Sequence, residues 1–273
     1  MNHRISTPSK KALVIIALSF FAINNSVFAQ YKGFKINKMM QLYHDYGQFN
    51  GAVLVADDRK VIFKKGYGLA NMEWNIANEP NTKFRLGSIT KQFTSMIIMQ
   101  LVEEGKIQLD GKITNYLPGY RIDTGNKVTI HHLLTHTSGI PRMPNNFSNS
   151  SKKDPLNPYS NYTLNEFKSY LSDSLKINTN SIGKFQYSNL GVALLGFALS
   201  KIDKSDYKSM FDSYVFRKYE MNNTTFDREK IDSLLVRGLN NEGDELPNWD
   251  FKIFGPAGGV LSNVEDLSKY TVA

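Results

Sequence analysis

The chain has 273 residues, 41% hydrophobic and 12% aromatic, a composition that buries one sizeable core or two packed subdomains and excludes a disordered chain. With no cysteine it has no disulfide framework, no thiolate nucleophile or thiolate metal site, and no cysteine for lipid attachment. Its formal charge of +8 is scattered, without Gly-rich or aromatic-interleaved basic tracts, so a mildly cationic surface is expected and a nucleic-acid partner is not.

Arg4, Lys10 and Lys11 precede the mainly apolar run Ala12 to Ile23, and Val27-Phe28-Ala29 has the small-residue pattern of a signal-peptidase site. The run falls short of the ~20 apolar residues that span a bilayer. Residues 1–29 therefore read as a cleaved signal peptide and residues 30–273 as an exported domain, periplasmic or secreted, with no integral membrane segment left. Cleavage removes three basic residues and no acid, leaving a formal charge of +5.

Residues 36–48 have the pattern of a short amphipathic helix. Gly51–Ala56 and Lys60–Lys65 flank Asp57-Asp58-Arg59 as a hairpin. From Ser88 to Glu104 apolar residues occupy nearly every face, and Gly105 is a natural C-cap, so this helix is expected to be buried. Residues 107–250 read as a mainly helical subdomain. Its helical stretches are Thr129–Leu134, Thr163–Leu175, Leu190–Ile202 and Ser205–Tyr219, separated by Asn-, Ser- and Pro-rich loops, notably 141–161. Gly255–Ser262 turns extended, and Val264–Val272 returns to a helical pattern. The fold expected is α/β of the α+β type: an antiparallel β-sheet flanked by helices, packed with the helical subdomain, and a reactive serine in the groove between them.

A serine and a lysine three residues apart share a helix face, which brings an amine within reach of the hydroxyl it must deprotonate. Four pairs have this spacing: Ser88/Lys91, Ser150/Lys153, Ser181/Lys184 and Ser205/Lys208. Ser150 and Ser181 lie in polar loops, and Ser205 reads as the N-cap of an amphipathic helix. Only Ser88 opens a buried helix, where the dipole and free backbone N–H groups stabilise developing negative charge. Burial of Lys91 would lower its pKa and make it a general base near neutral pH.

Tyr187-Ser188-Asn189 has a twin in Tyr159-Ser160-Asn161. The second copy leads directly into an apolar helix and is expected to be held rigidly; the first falls in a Pro/Asn-rich stretch and reads as a mobile surface loop. His132 and His136 stand four apart, the zinc-metalloprotease spacing, but no glutamate lies beside the first and no third ligand is evident, so no metal site is expected. The paired acids Glu103-Glu104 and Asp57-Asp58 read as a helix end and a hairpin turn, since adjacent side chains point to different sides.

Together with Phe84-Arg-Leu-Gly-Ser88, Gln92-Phe-Thr94, Leu133-Leu-Thr-His-Thr-Ser-Gly139 and Pro256-Ala-Gly-Gly-Val-Leu-Ser262, these motifs resemble the β-lactamase-like serine hydrolases. That group comprises class C β-lactamases, D-Ala-D-Ala carboxypeptidases and related esterases and D-aminopeptidases, and the similarity runs from about Gly51 to Tyr270. The resemblance implies that Ser88 is acylated, that Lys91 and Tyr187 share proton transfer, and that Asn189 orients the substrate carbonyl or amide. It implies no cofactor, and as partner a small-molecule or peptide substrate, including peptidoglycan-derived ones: amides, peptides, esters, β-lactams and D-Ala-D-Ala ends. His136 and its neighbours would end a helix and shape the fold. One departure is the family's third motif, Lys or His followed by Thr/Ser-Gly on a strand, which does not occur after Gly259, so the C-terminal strands are expected to be missing. The strand after that motif supplies one of two oxyanion N–H donors, each worth roughly 3 kcal/mol in the transition state. Two readings follow: a hydrolase whose last strands lie beyond Ala273, and an impaired relative that binds peptidoglycan fragments or β-lactams without turnover.

Overall fold

The computed structural model describes residues 31–120, 122, 127–229, 235–240 and 242–272. The expected signal peptide, residues 1–29, lies outside them. The described chain forms two compact units that divide between Pro80 and Asn81.

In the first unit, residues 31–45 form helix α1, and β1 (Gly51–Asp57) pairs antiparallel with β2 (Lys60–Tyr67). The turn falls on Asp58 and Arg59, both left-handed at φ 48° and 62°, the pairing a tight two-residue hairpin requires. The expected hairpin thus forms where the sequence places it. A second ladder joins β3 (Leu69–Asn71) to β4 (Ile76–Ala77).

The second unit opens with β5 (Phe84–Arg85) and a 3-10 turn, Gly87–Ile89, that runs into helix α2 (Thr90–Glu103). Phe93, Ile97, Ile98 and Leu101 of α2 are fully buried. Gly105, at φ 72°, ends the helix in a Schellman arrangement: Lys106 N–H bonds Leu101 O (2.9 Å) and Gly105 N–H bonds Val102 O (3.0 Å). Short helices α3 (Ile113–Tyr116), α4 (Ile130–Leu134), α5 (Phe147–Ser151) and α6 (Leu164–Ser169) follow, α6 continuing as a π turn over Tyr170–Ser174. Thr129 and Thr163 cap α4 and α6 in reciprocal capping boxes with His132 and Glu166.

Helix α7 (Asn189–Ile202) buries every residue from Leu190 to Leu199, as an all-round apolar helix must, and with α2 forms the centre of the core. Its Gly196 faces Pro256, where an added Cβ would stand 2.2 Å from the proline ring, so only glycine admits this approach. Helix α8 (Tyr207–Phe211) starts one residue later than the sequence suggested. Asp206, not Ser205, is its N-cap, because the Asp206 carboxylate reaches the N–H groups of both Lys208 and Ser209, while the Ser205 hydroxyl turns back to Asp203.

After the β6 (Gly238–Leu239) and β7 (Glu245–Leu246) ladder comes a second difference. The stretch expected to be extended begins as a helical turn, α9 (Gly255–Gly258), with Pro256 at its start, and only β8 (Leu261–Ser262) is strand, paired antiparallel with β5. The cause lies in α2, whose side chains draw in the backbone of this segment: Thr94 Oγ1 donates to Pro256 O (2.6 Å) and Thr90 Oγ1 accepts from Val260 N–H (3.2 Å). Helix α10 (Val264–Thr271) follows, capped by Asn263. The fold is α/β, with antiparallel ladders and a helical body. No helix among the described residues is long and apolar enough to cross a membrane.

Candidate active site

The residues singled out in the sequence meet at the N-terminal end of α2. Ser88, in the 3-10 turn, exposes its hydroxyl, and Lys91 lies one turn on. Lys91 Nζ donates to Ser88 Oγ (3.0 Å) and to Ala257 O on α9 (2.6 Å). The Tyr187 hydroxyl lies 2.7 Å from Ser88 Oγ, and Lys91 Nζ stands 4.9 Å above the Tyr187 ring. The structure thus brings Ser88, Lys91 and Tyr187 into one hydrogen-bonded cluster, although Tyr187 is 99 residues away from the serine in sequence.

Burial pushes the Lys91 ammonium below the ordinary lysine range, and the Arg142 charge adds to this against the pull of Tyr187. For Tyr187, burial alone would raise the phenol, but Lys91 and Ser88 as hydrogen-bonding neighbours, with the Lys91 and Arg142 charges, bring it below the usual tyrosine value. Arg142 is exposed, and its guanidinium lies 5.1 Å over the Tyr187 ring.

Tyr187 sits just before the N-cap of α7. Ser188 caps the helix by accepting from Gly191 N–H (2.8 Å) and donates to Pro141 O (2.7 Å), while Leu190 N–H bonds Arg142 O (3.1 Å). Asn189 opens α7. Its Nδ2 contacts Met143 Sδ (3.9 Å), and its buried Oδ1 has no hydrogen-bond partner among the described residues.

The other Ser/Lys pairs are not of this kind. Ser150 donates to Glu166 Oε1 and belongs to the α6 capping network; Ser181 lies in a 3-10 turn capped by Asn178. The first Tyr-Ser-Asn copy is not a free loop: Tyr159 stacks on Phe251 (4.6 Å, 23°) within a cluster that includes Phe147, Trp249 and Phe254. Burial raises its phenol, and Arg142 and Asn189 are near enough to oppose that.

His132 and His136 each accept a backbone N–H at Nδ1, from Thr129 and from Ser188 respectively, both at 3.2 Å. Their four-residue spacing serves capping and pairing within the chain, and among the described residues no group of three or more His, Cys, Asp or Glu could hold a metal ion. Sequence reasoning missed the Ala257 carbonyl, Arg142 and the pairing of His136 with Tyr187. Ala257 and His136 lie within motif segments, which were the only signal for them; Arg142 lies outside every motif, and each pairing spans some tens of residues or more.

The fold is that of the β-lactamase-like serine hydrolases, and it brings Ser88, Lys91 and Tyr187 together. The β-lactamase family model matches residues 36–273, and the chain belongs to that family. It is 26% identical over 239 residues to Protein flp of Staphylococcus aureus strain MW2, covering 82% of this chain and 45% of flp. The chain spans about half the length of such curated relatives. Among solved structures, an octameric penicillin-binding protein homologue from Pyrococcus abyssi superposes with a TM-score of 0.70 at 28% identity, over 87% of this chain and 55% of that one. A class C β-lactamase shares the fold with a TM-score of 0.75 at 22% identity, over 89% of this chain and 65% of the other.

Proposed function

We propose that the protein is an exported serine hydrolase that transfers an acyl group from an amide, peptide or ester to water through an acyl-enzyme on Ser88. The observation that carries this reading is the position of Ser88 Oγ, within hydrogen-bond distance of both the Lys91 amine and the Tyr187 hydroxyl. Neutral Lys91, or the Tyr187 phenolate beside it, takes the hydroxyl proton as Oγ bonds to the substrate carbonyl carbon. The same pair returns that proton to the leaving amine or alcohol as the carbonyl–heteroatom bond breaks. A water then repeats the sequence on the acyl-enzyme, giving the carboxylic acid and free Ser88. The Ser88 backbone N–H, at the head of α2, is suited to stabilise the oxyanion. Candidate substrates are amides, peptides and esters, among them cell-wall peptides ending in D-Ala-D-Ala and β-lactams, all presenting a carbonyl open to attack by the Ser88 hydroxyl. Export rests on the signal-peptide pattern of residues 1–29.

A fluorophosphonate or penicillin probe should add once to the wild-type protein and not at all to Ser88→Ala, read by intact-protein mass spectrometry. An adduct that persists in Ser88→Ala, or none in the wild type, overturns the reading; the latter result would leave a binder without acylation.

Arg142 has a measurable electrostatic effect. The base form of the Lys91/Tyr187 pair is the deprotonated one, so activity rises as pH passes through the pair's apparent pKa values. The Arg142 cation lowers both groups. Arg142→Gln should therefore move the acid limb of the kcat/KM profile for 4-nitrophenyl acetate to higher pH. A limb that stays in place, or moves to lower pH, contradicts the assignment of the base.

A further inference from the structure

We infer that His136 is a positioning residue for Tyr187, a role that rests on the acyl-transfer reading: one residue holds the backbone on both sides of the tyrosine and packs its ring against the phenol. His136 is left-handed at φ 57°, a conformation that most L-residues avoid and that His and Asn adopt more readily. From there its carbonyl accepts Gln186 N–H at 2.7 Å and its Nδ1 accepts Ser188 N–H at 3.2 Å. These donors belong to the residues immediately before and after Tyr187. The imidazole lies 4.5 Å from the Tyr187 ring at 39°, and Phe185 closes on its edge at 6.0 Å.

The turn that carries His136 is itself tied down. Thr137 N–H bonds His132 O (2.8 Å) at the end of α4, and Thr137 O accepts Gly183 N–H (2.9 Å). A chain of bonds therefore runs from a capped helix, through His136, to the phenol that meets Ser88. Precision matters at that contact, because a tilt of the tyrosine by roughly ten degrees moves its hydroxyl by about an ångström, enough to lose the approach to the serine. Nδ1 can accept only while it carries no proton, so the ring is held with its hydrogen on Nε2. Burial first, and the Lys91 charge second, favour that neutral form.

Two variants of the full chain separate positioning from bulk. His136→Asn keeps a residue at home in the left-handed region and offers an amide oxygen near the Nδ1 position; His136→Ala removes both acceptor and ring. With 4-nitrophenyl acetate, His136→Ala should lose kcat on the order of a hundredfold while KM changes by no more than about twofold. His136→Asn should recover most of the lost kcat. Should the alanine protein not fold, His136→Gln, whose amide oxygen reaches past the Nδ1 position, takes its place with the same expected loss. Titration of the Tyr187 phenol by NMR of 13C-labelled tyrosine is a readout independent of turnover. It should move up toward ordinary tyrosine in His136→Ala and stay near wild type in His136→Asn. Wild-type kcat in His136→Ala, an equal loss in His136→Asn, or a Tyr187 titration unchanged in all variants overturns the inference. Failure of wild-type Ser88 to label or turn over ester would instead overturn the acyl-transfer reading, and the NMR comparison then decides the role of His136 alone.

Discussion

Lys91→Met should slow acylation of Ser88 by roughly 10³-fold, within the range general-base catalysis contributes, while the protein remains folded. Methionine fills nearly the same space but removes both bonds of Nζ, the one to Ser88 Oγ and the one to Ala257 O. Two effects on stability oppose each other. The buried Ala257 carbonyl loses its donor, which costs about 1–3 kcal/mol, while a cation that burial already disfavours is no longer taken out of water. The thermal midpoint should therefore stay close to wild type as activity collapses. Single-turnover kinetics with 4-nitrophenyl acetate, beside a thermal melt, checks both. Acylation within tenfold of wild type would mean that Tyr187 alone suffices as base.

Asp266→Ala should have the largest effect on stability, a loss of about 3–5 kcal/mol, the usual consequence of breaking a buried ionic network from one side. The carboxylate is fully buried in α10. It accepts from Asn223 N–H (2.7 Å), Thr224 Oγ1 (2.9 Å) and Lys269 Nζ (2.9 Å), and Thr224 Oγ1 goes on to Ser262 Oγ (2.7 Å) in β8. Lys83, itself buried and hydrogen-bonded to Asn223, also feels the Asp266 charge. Alanine leaves the Asn223 and Thr224 donors and the buried Lys83 ammonium without that anion, while Lys269, 40% exposed, keeps its bond to Glu220 O (2.6 Å). Urea unfolding should show a lower midpoint at unchanged slope, and Asp266→Asn, which keeps an acceptor, should lose less. A loss under about 1 kcal/mol for alanine would show that water replaces the carboxylate at little cost.

The elements readable from sequence were those with a strong local pattern. The Asp58-Arg59 hairpin, the α2 helix with its Gly105 stop and the wholly apolar α7 each carry their signal within a dozen or so residues. Ser88 and Lys91 were readable for the same reason, being one turn apart where the 3-10 turn runs into α2. Tyr187 and Asn189 were reached through family motifs and their place before an apolar helix. What local pattern could not supply was pairing at a distance. The turn at Gly255–Gly258 is shaped by Thr90 and Thr94 more than 160 residues earlier, and Ser205 lost its capping role to a neighbour one residue on. Tyr159, in a stretch composed like a loop, is held by aromatic partners about ninety residues away.

The contact of Gly196 with Pro256 has a consequence for motion. Helix α7, which Tyr187 leads into, and α9, which holds the Lys91 amine through Ala257 O, touch at that point through the Pro256 ring alone, seated on a glycine with no side chain of its own. Neither can loosen by rotamer exchange at that point, so hydrogen exchange should show the amides of α7 and α9 opening as one unit. The groups around Ser88 should then gain or lose their geometry together, the lysine not staying in place while the tyrosine drifts.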